Sequence, residues 1–139
     1  MKNEEKKKKD MIKAKPSMSV KNIMFNDITE TVFDWDGLLY RLMGDEDLAK
    51  EIVDDFLKDI PVKLSALKEA LNKKDALLVK SKAHIIKGAS GNVGAVALQE
   101  IAERIEFAGE EDDLVKAELY AAKLDTLLQV FKKNVKQIG

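Results

Sequence analysis

Apolar side chains recur at helical spacing along most of this chain, and that rhythm limits its fold more than any other feature. From Leu48, the positions Ile52, Val53, Phe56, Leu57 and Ile60 fall on one side of a 3.6-residue helix. The pattern resumes at Val62, Leu64, Leu67, Ala70 and Leu71, then at Val96, Leu98, Ile101, Ala102, Ile105 and Phe107. A last stretch offers Leu119, Ala122, Leu124, Leu127, Leu128, Val130 and Phe131 for burial. No segment alternates as a half-buried strand does, and no repeat has a solenoid period. Two prolines and seven glycines in 139 residues leave few interruptions.

The helix boundaries are marked by aspartates and glycines. Asp34 suits the N-cap of a short helix with Trp35, Leu38, Leu39, Leu42 and Met43, which Gly44 ends. Asp45 caps a longer helix in which Pro61 is expected to give a kink or a division, the resumed rhythm favouring the kink. Asn72, Lys73 and Lys74 form a turn, and Asp75 caps the next helix, which ends or loosens near Gly91 to Gly94. Ala95 to Ala108 is the following helix, Gly109 with the acidic residues Glu110 to Asp113 the turn after it, and Leu114 towards Val135 the last. Four substantial helices with short connections imply an all-α, antiparallel up-down four-helix bundle with a short additional N-terminal helix.

Residues 31–139 are read as this bundle and 1–30 as a lysine-rich, largely disordered tail or linker. Met1 to Lys15 carries seven lysines against Glu4, Glu5 and Asp10, whereas the whole chain has a net charge of −1. The run Lys6 to Lys9 lacks interleaved aromatics, so solvation is its first reading, ahead of contact with a membrane surface or nucleic acid. Val20 to Ile28 is apolar enough to lie against the body. There is no cysteine, hence no disulfide or thiolate site, and no apolar run approaches the ~18–20 residues that span a bilayer. The expectation is a cytoplasmic monomer without membrane insertion or nucleic-acid binding.

The stretch from Ala83 to Ala95 holds the chain's only histidine and three of its seven glycines. On a helical wheel, His84, Lys80, Lys87, Gly88 and Gly91 share one face, opposite a core stripe of Leu78, Val79, Ile86, Ala89 and Val93. Glycine inside a helix costs about 1 kcal/mol relative to alanine, so stability alone does not account for this face. A single histidine without cysteine makes zinc improbable, and no EF-hand loop, di-iron pattern or glycine-rich phosphate loop is present. Ser90 stands about 120° of arc from His84, too far round to pair with it.

What remains is His84 acting alone as a nucleophile. An exposed imidazole is largely neutral at cytoplasmic pH and can take a phosphoryl group covalently. Lys87, one turn along, is placed to neutralise that group, with Lys80 able to help. Gly88 and Gly91 clear space for a partner that brings its own acidic site and metal.

The pattern His84-x-x-Lys87-Gly88-x-Ser90-x-x-x-Gly94-Ala95 resembles the signature of histidine-containing phosphotransfer (HPt) domains of two-component phosphorelays. Further similarity lies in Phe33-Asp34, in Leu38-Leu39-x-Arg41-Leu42-x-Gly44-Asp45 and in Phe56-Leu57-x-Asp59-x-Pro61. It continues through Leu67-x-x-Ala70-Leu71, Leu98 and Ile105-Glu106, so that residues 33 to 131 are covered. Lys82 departs from the pattern, replacing a small residue at an inward wheel position, and Gly91 is smaller than the alanine often found there.

The resemblance implies a four-helix bundle whose His84 passes a phosphoryl group between receiver-domain aspartates, or takes it from a histidine kinase. It also implies that Lys87 supports the phosphohistidine and that Gly88 and Gly94 shape the docking surface, with Lys80 and Gly91 beside them. The implied partners are response-regulator receiver domains and a sensor or hybrid histidine kinase. No cofactor or ATP site is implied, and magnesium belongs to the receiver; the chain would be a phosphocarrier rather than an enzyme. The alternatives are a helical adaptor that binds a receiver-like partner without accepting phosphate, and a kinase fragment, against which the lack of an ATP-binding lobe argues.

Overall fold

The computed structural model describes residues 31–138. The expectations for the lysine-rich start and for Val20 to Ile28 lie outside the described residues. Five helices follow in order: α1 (Trp35–Arg41), α2 (Glu46–Asn72), α3 (Ala76–Asn92), α4 (Val96–Glu110) and α5 (Leu114–Ile138). The long helices pack as chain neighbours, α2 on α3, α3 on α4 and α4 on α5, and α5 also meets α2. This is the antiparallel bundle expected, with α1 as the additional short helix.

Four of the five helices start on an aspartate whose side chain replaces a missing backbone partner. Oδ1 of Asp34, Asp45, Asp75 and Asp113 accepts from the N–H of Gly37, Leu48, Leu78 and Lys116, at 3.0 to 3.1 Å. The exception is α4, which starts after Ala95 with no side-chain cap. Its connection to α3 is held otherwise. Gly94 adopts φ +78°, and its carbonyl accepts from the N–H of Asp34 at 2.8 Å. A Cβ on Gly94 would stand 2.8 Å from the Asp34 carbonyl oxygen, so only glycine lets the N-terminal segment lie here. Arg41 adds a second tie, its guanidinium donating to the Asn92 carbonyl at the C-terminal end of α3, at 3.1 Å.

The core runs the length of the bundle, from Leu38 and Val53 through Ile60, Leu67, Ile86, Ile101 and Ile105 to Leu124 and Phe131. At one end Phe131 takes an edge-on contact from Phe33 (centroids 4.8 Å apart) and another from Phe56 (5.5 Å), which locks the N-terminal segment to α2 and α5. Trp35 lies beside Phe33 at this end.

Pro61 does not divide α2, which continues from Glu46 to Asn72 as the resumed apolar rhythm favours; the proline is exposed, where the carbonyl it leaves without a donor is cheapest to hydrate. Two expectations are corrected. Gly109 is not in a turn but buried inside α4. Leu119, Ala122 and Phe107 are exposed rather than core. On α5 the buried line passes through Ala117, Ala121, Leu124 and Leu128, and Leu119 falls about 200° from Ala117, facing water.

Gly109 marks a close approach of α3 and α4. A Cβ there would meet the Lys80 backbone nitrogen at 2.9 Å and the Ala76 carbonyl oxygen at 3.0 Å, whereas one on Gly88 would meet nothing within 4 Å. Both glycines are helical, so alanine would gain up to about 1 kcal/mol of propensity at either. At position 109 overpacking against backbone reverses the sign. Gly109→Ala is expected to lose about 1–3 kcal/mol in urea denaturation, and Gly88→Ala to be neutral or stabilising. Equal behaviour of the two variants would contradict this packing.

Candidate functional site

The close contact at Gly109 sets the register of α3 against α4. Antiparallel helices rise equally on each side of their turn, so residues equidistant from Ala95 stand opposite one another. Lys80 accordingly faces Glu110, His84 faces Glu106 and Gly91 lies under the side chain of Gln99. On α4, Gln99, Glu106 and Glu110 are seven and four residues apart and form one stripe.

Glu106 joins the site together. Its Oε2 lies 2.9 Å from His84 Nδ1, and its Oε1 lies 2.8 Å from the Lys87 ammonium. The carboxylate is mostly covered, at 17% exposure, whereas the His84 side chain is 66% exposed. An ionised carboxylate only accepts, so Nδ1 carries the ring proton and donates it. The lone pair then sits on Nε2, which has no bonding partner among the described residues. Glu106 thus selects the tautomer that makes the outer nitrogen nucleophilic.

The electrostatics follow from that bridge. Burial pushes the Glu106 carboxyl up, but the bonds from Lys87 and His84 outweigh it and hold the group below the usual carboxylate range. Lys87 is raised, chiefly by its bond to Glu106; desolvation opposes this, and Glu103 adds a smaller pull. Lys80, further up the face, pairs with Glu110 at 3.9 Å.

The face expected from the sequence is therefore partly assembled. His84, Lys87, Lys80 and the bare, exposed Gly88 share it. Gly91 is half-buried, and a Cβ there would crowd the flexible end of Gln99 at 2.9 Å. Gly94 is corrected: it is buried beneath Asp34 and holds the N-terminal segment, not an exposed docking face. Ser90 is fully buried, its Oγ without a hydrogen-bond partner among the described residues, in keeping with its wheel position away from His84. Lys82 is half-buried. Among the described residues no group of three His, Cys, Asp or Glu is placed to hold a metal ion, and no described helix is long and apolar enough to cross a membrane.

Glu106 is the site residue that sequence reasoning passed over. The signal was present, since His84 and Glu106 are each eleven residues from Ala95, at the turn of an antiparallel pair.

The Lys87–Glu106 pair should leave a signature in stability against pH. A lowered carboxyl contributes in full above about 4.3, the ordinary Glu value, and loses its contribution as pH falls through its folded value. A raised lysine contributes in full below about 10.4 and loses its share as pH rises through its own folded value. The pair is thus complete between those limits. Lys87→Met is expected to cost about 1 kcal/mol at neutral pH, the deficit shrinking in acid as Glu106 is protonated in the wild type. A deficit unchanged from neutral pH into acid would refute the pairing.

With this geometry in place, comparisons with known proteins converge. A family model described as Hpt domain matches residues 51–133. The phosphorelay intermediate protein rdeA of Dictyostelium discoideum is 28% identical over 109 residues, 73% of this chain and 43% of the relative. The chain thus spans less than half the length of that relative. Among solved structures, the HPT domain from the Hpt sensor hybrid histidine kinase from Shewanella superposes with a TM-score of 0.54 at 22% identity. That match covers 73% of this chain and 95% of the other, and shows a common fold. The five-helix architecture and the family model together give one conclusion: this chain belongs to the Hpt domain family.

Proposed function

We propose that the protein is a phosphorelay intermediate that carries a phosphoryl group on Nε2 of His84. The observation that carries this reading is the His84 ring itself, tied by Nδ1 to Glu106 at 2.9 Å while two-thirds of the side chain stays exposed. A ring fixed in tautomer and orientation, yet open to a second protein, suits attack on phosphorus held by that protein.

The donor is an aspartyl phosphate on a receiver domain, or the phosphohistidine of a sensor or hybrid kinase. The Nε2 lone pair attacks in line, the bond from phosphorus to the donor atom breaks, and the departing pair stays with the donor. Lys87 stands one turn from His84 and neutralises the incoming oxygens. Gly88, with open space above it, lets the partner approach the ring. Lys80 belongs to the same docking face. Magnesium comes with the receiver, and this chain binds neither ATP nor a metal for the step. A bundle with its own core acts as a monomer, and the cysteine-free composition fits the cytoplasm.

The direct test mixes the protein with a receiver domain charged by a small phosphodonor. Acid-labile, base-stable label is expected on the wild type and none on His84→Gln. Label that persists in the variant overturns the assignment, and signalling output intact in His84→Gln would favour a non-phosphorylated adaptor instead. Lys87→Ala is expected to fold normally and to transfer about tenfold more slowly, the loss of one charge-assisted bond to the phosphoryl group. Unchanged kinetics would remove Lys87 from the mechanism.

A further inference from the structure

We propose that the apolar stretch Val20 to Ile28 closes a hollow at the Phe131 end of the bundle, with the ring of Phe25 seated in it. This packing of the chain on itself is independent of the phosphocarrier reading.

The hollow lies where the N-terminal segment, α2 and α5 meet, and its volume is about 170 Å³. Phe33, Trp35, Val53, Val135 and Ile138 give it an apolar lining, and the exposed Lys50 and Asp54 of α2 complete it. Val53 is buried, Phe33, Trp35 and Val135 are half-buried and Ile138 is exposed, so the lining passes from core to open surface. An apolar cavity of about 150 Å³ is large enough to take benzene, so one phenyl ring fits here. Its walls already belong to an aromatic cluster, Phe33 lying edge-on to Phe131 and tilted against Trp35 at 5.9 Å. A further ring would extend that cluster in the geometry aromatic pairs favour.

Position, composition and charge identify the occupant. The described residues begin at Thr31, and Phe33, two residues on, is part of the lining, so the preceding chain enters beside the hollow. Val20, Ile23, Met24, Phe25 and Ile28 make five of the nine residues in 20–28 apolar, and Phe25 is the only aromatic residue before Thr31. Phe25 stands eight residues from Phe33, a span of up to about 26–29 Å when extended, so its ring can reach the lining. Lys21 and Asp27 bring one charge of each sign to a lining that carries Lys50 and Asp54, so closure adds no net charge. Residues 1–15 fit less well, because their seven lysines would be desolvated against apolar side chains. A second copy also fits less well: separate chains need roughly 1,200 Å² of buried surface, whereas a tethered segment has a high effective concentration at the hollow. Seated there, the segment braces Phe33 against Phe131 and supports the adjoining bond from the Asp34 N–H to the Gly94 carbonyl.

The test uses the full chain, whose single tryptophan lines the hollow. Nuclear Overhauser contacts from the Phe25 ring to the Trp35 indole and the Val135 methyls are expected in the wild type. In a mixture of differently labelled chains, those contacts are expected within one chain only. Phe25→Asp is expected to shift the Trp35 emission to the red and to raise the unfolding constant in urea about tenfold. Leu119→Asp, at an exposed position of α5, should leave the emission where it is. Absence of any contact between Phe25 and the lining in the wild type would overturn the proposal, and that measurement needs no variant to fold. Contacts found only between chains would overturn it as well, and would give the hollow to a second copy. Identical emission and urea midpoints for wild type and Phe25→Asp would count against it in the same way.

Discussion

The site depends on how closely α3 and α4 approach. Gly109 lets the two backbones pack where any Cβ would strike the Lys80 nitrogen and the Ala76 carbonyl oxygen. One turn along from that contact, Glu106 meets the ring of His84 and the ammonium of Lys87. A wider separation would leave a carboxylate short of Nδ1 and a histidine free to sample both tautomers. Small residues, Ala83 on α3 with Ala102 and Ala108 on α4, are buried along this part of the bundle beside Ile86 and Ile105. Packing, rather than any special loop, sets the chemistry of the ring.

The electrostatic arrangement is economical in a specific sense. Two lysines and two glutamates pair across the helices, while Nε2 of His84 has no bonding partner among the described residues. The face presents no metal set and no nucleotide loop among the described residues, and the ring stands beside open space at Gly88. On the proposed function such a surface is half of a catalytic site, supplying an oriented nucleophile and a nearby cation and leaving the electrophile and its activation to the partner.

Much of this was legible in the sequence, and the reasons are physical. Aspartates at 34, 45 and 75 mark helix starts because their side chains satisfy amides that nothing else reaches, and all three cap as expected. His84, Lys87 and Gly88 share a face because helical spacing dictates it. Large apolar side chains such as Ile60, Ile86 and Phe131 announce burial by themselves. Small ones do not: Gly109 is buried through close helix contact, which a single-helix wheel does not contain. Leu119 and Phe107 fail in the opposite direction, as apolar residues whose positions on the wheel leave them facing water. Glu106 was missed because its partner lies on another helix, and only the register of the pair reveals it.

The central claim is that packing leaves Nε2 of His84 as the one nitrogen available to phosphorus. Correlating the phosphorus-31 signal of the phosphorylated protein with the ring protons of its single histidine tests this directly. The expected result is coupling through Nε2 alone, with Nδ1 still bonded to hydrogen. Phosphorus on Nδ1, or on any other side chain of a protein phosphorylated by its receiver, would contradict it.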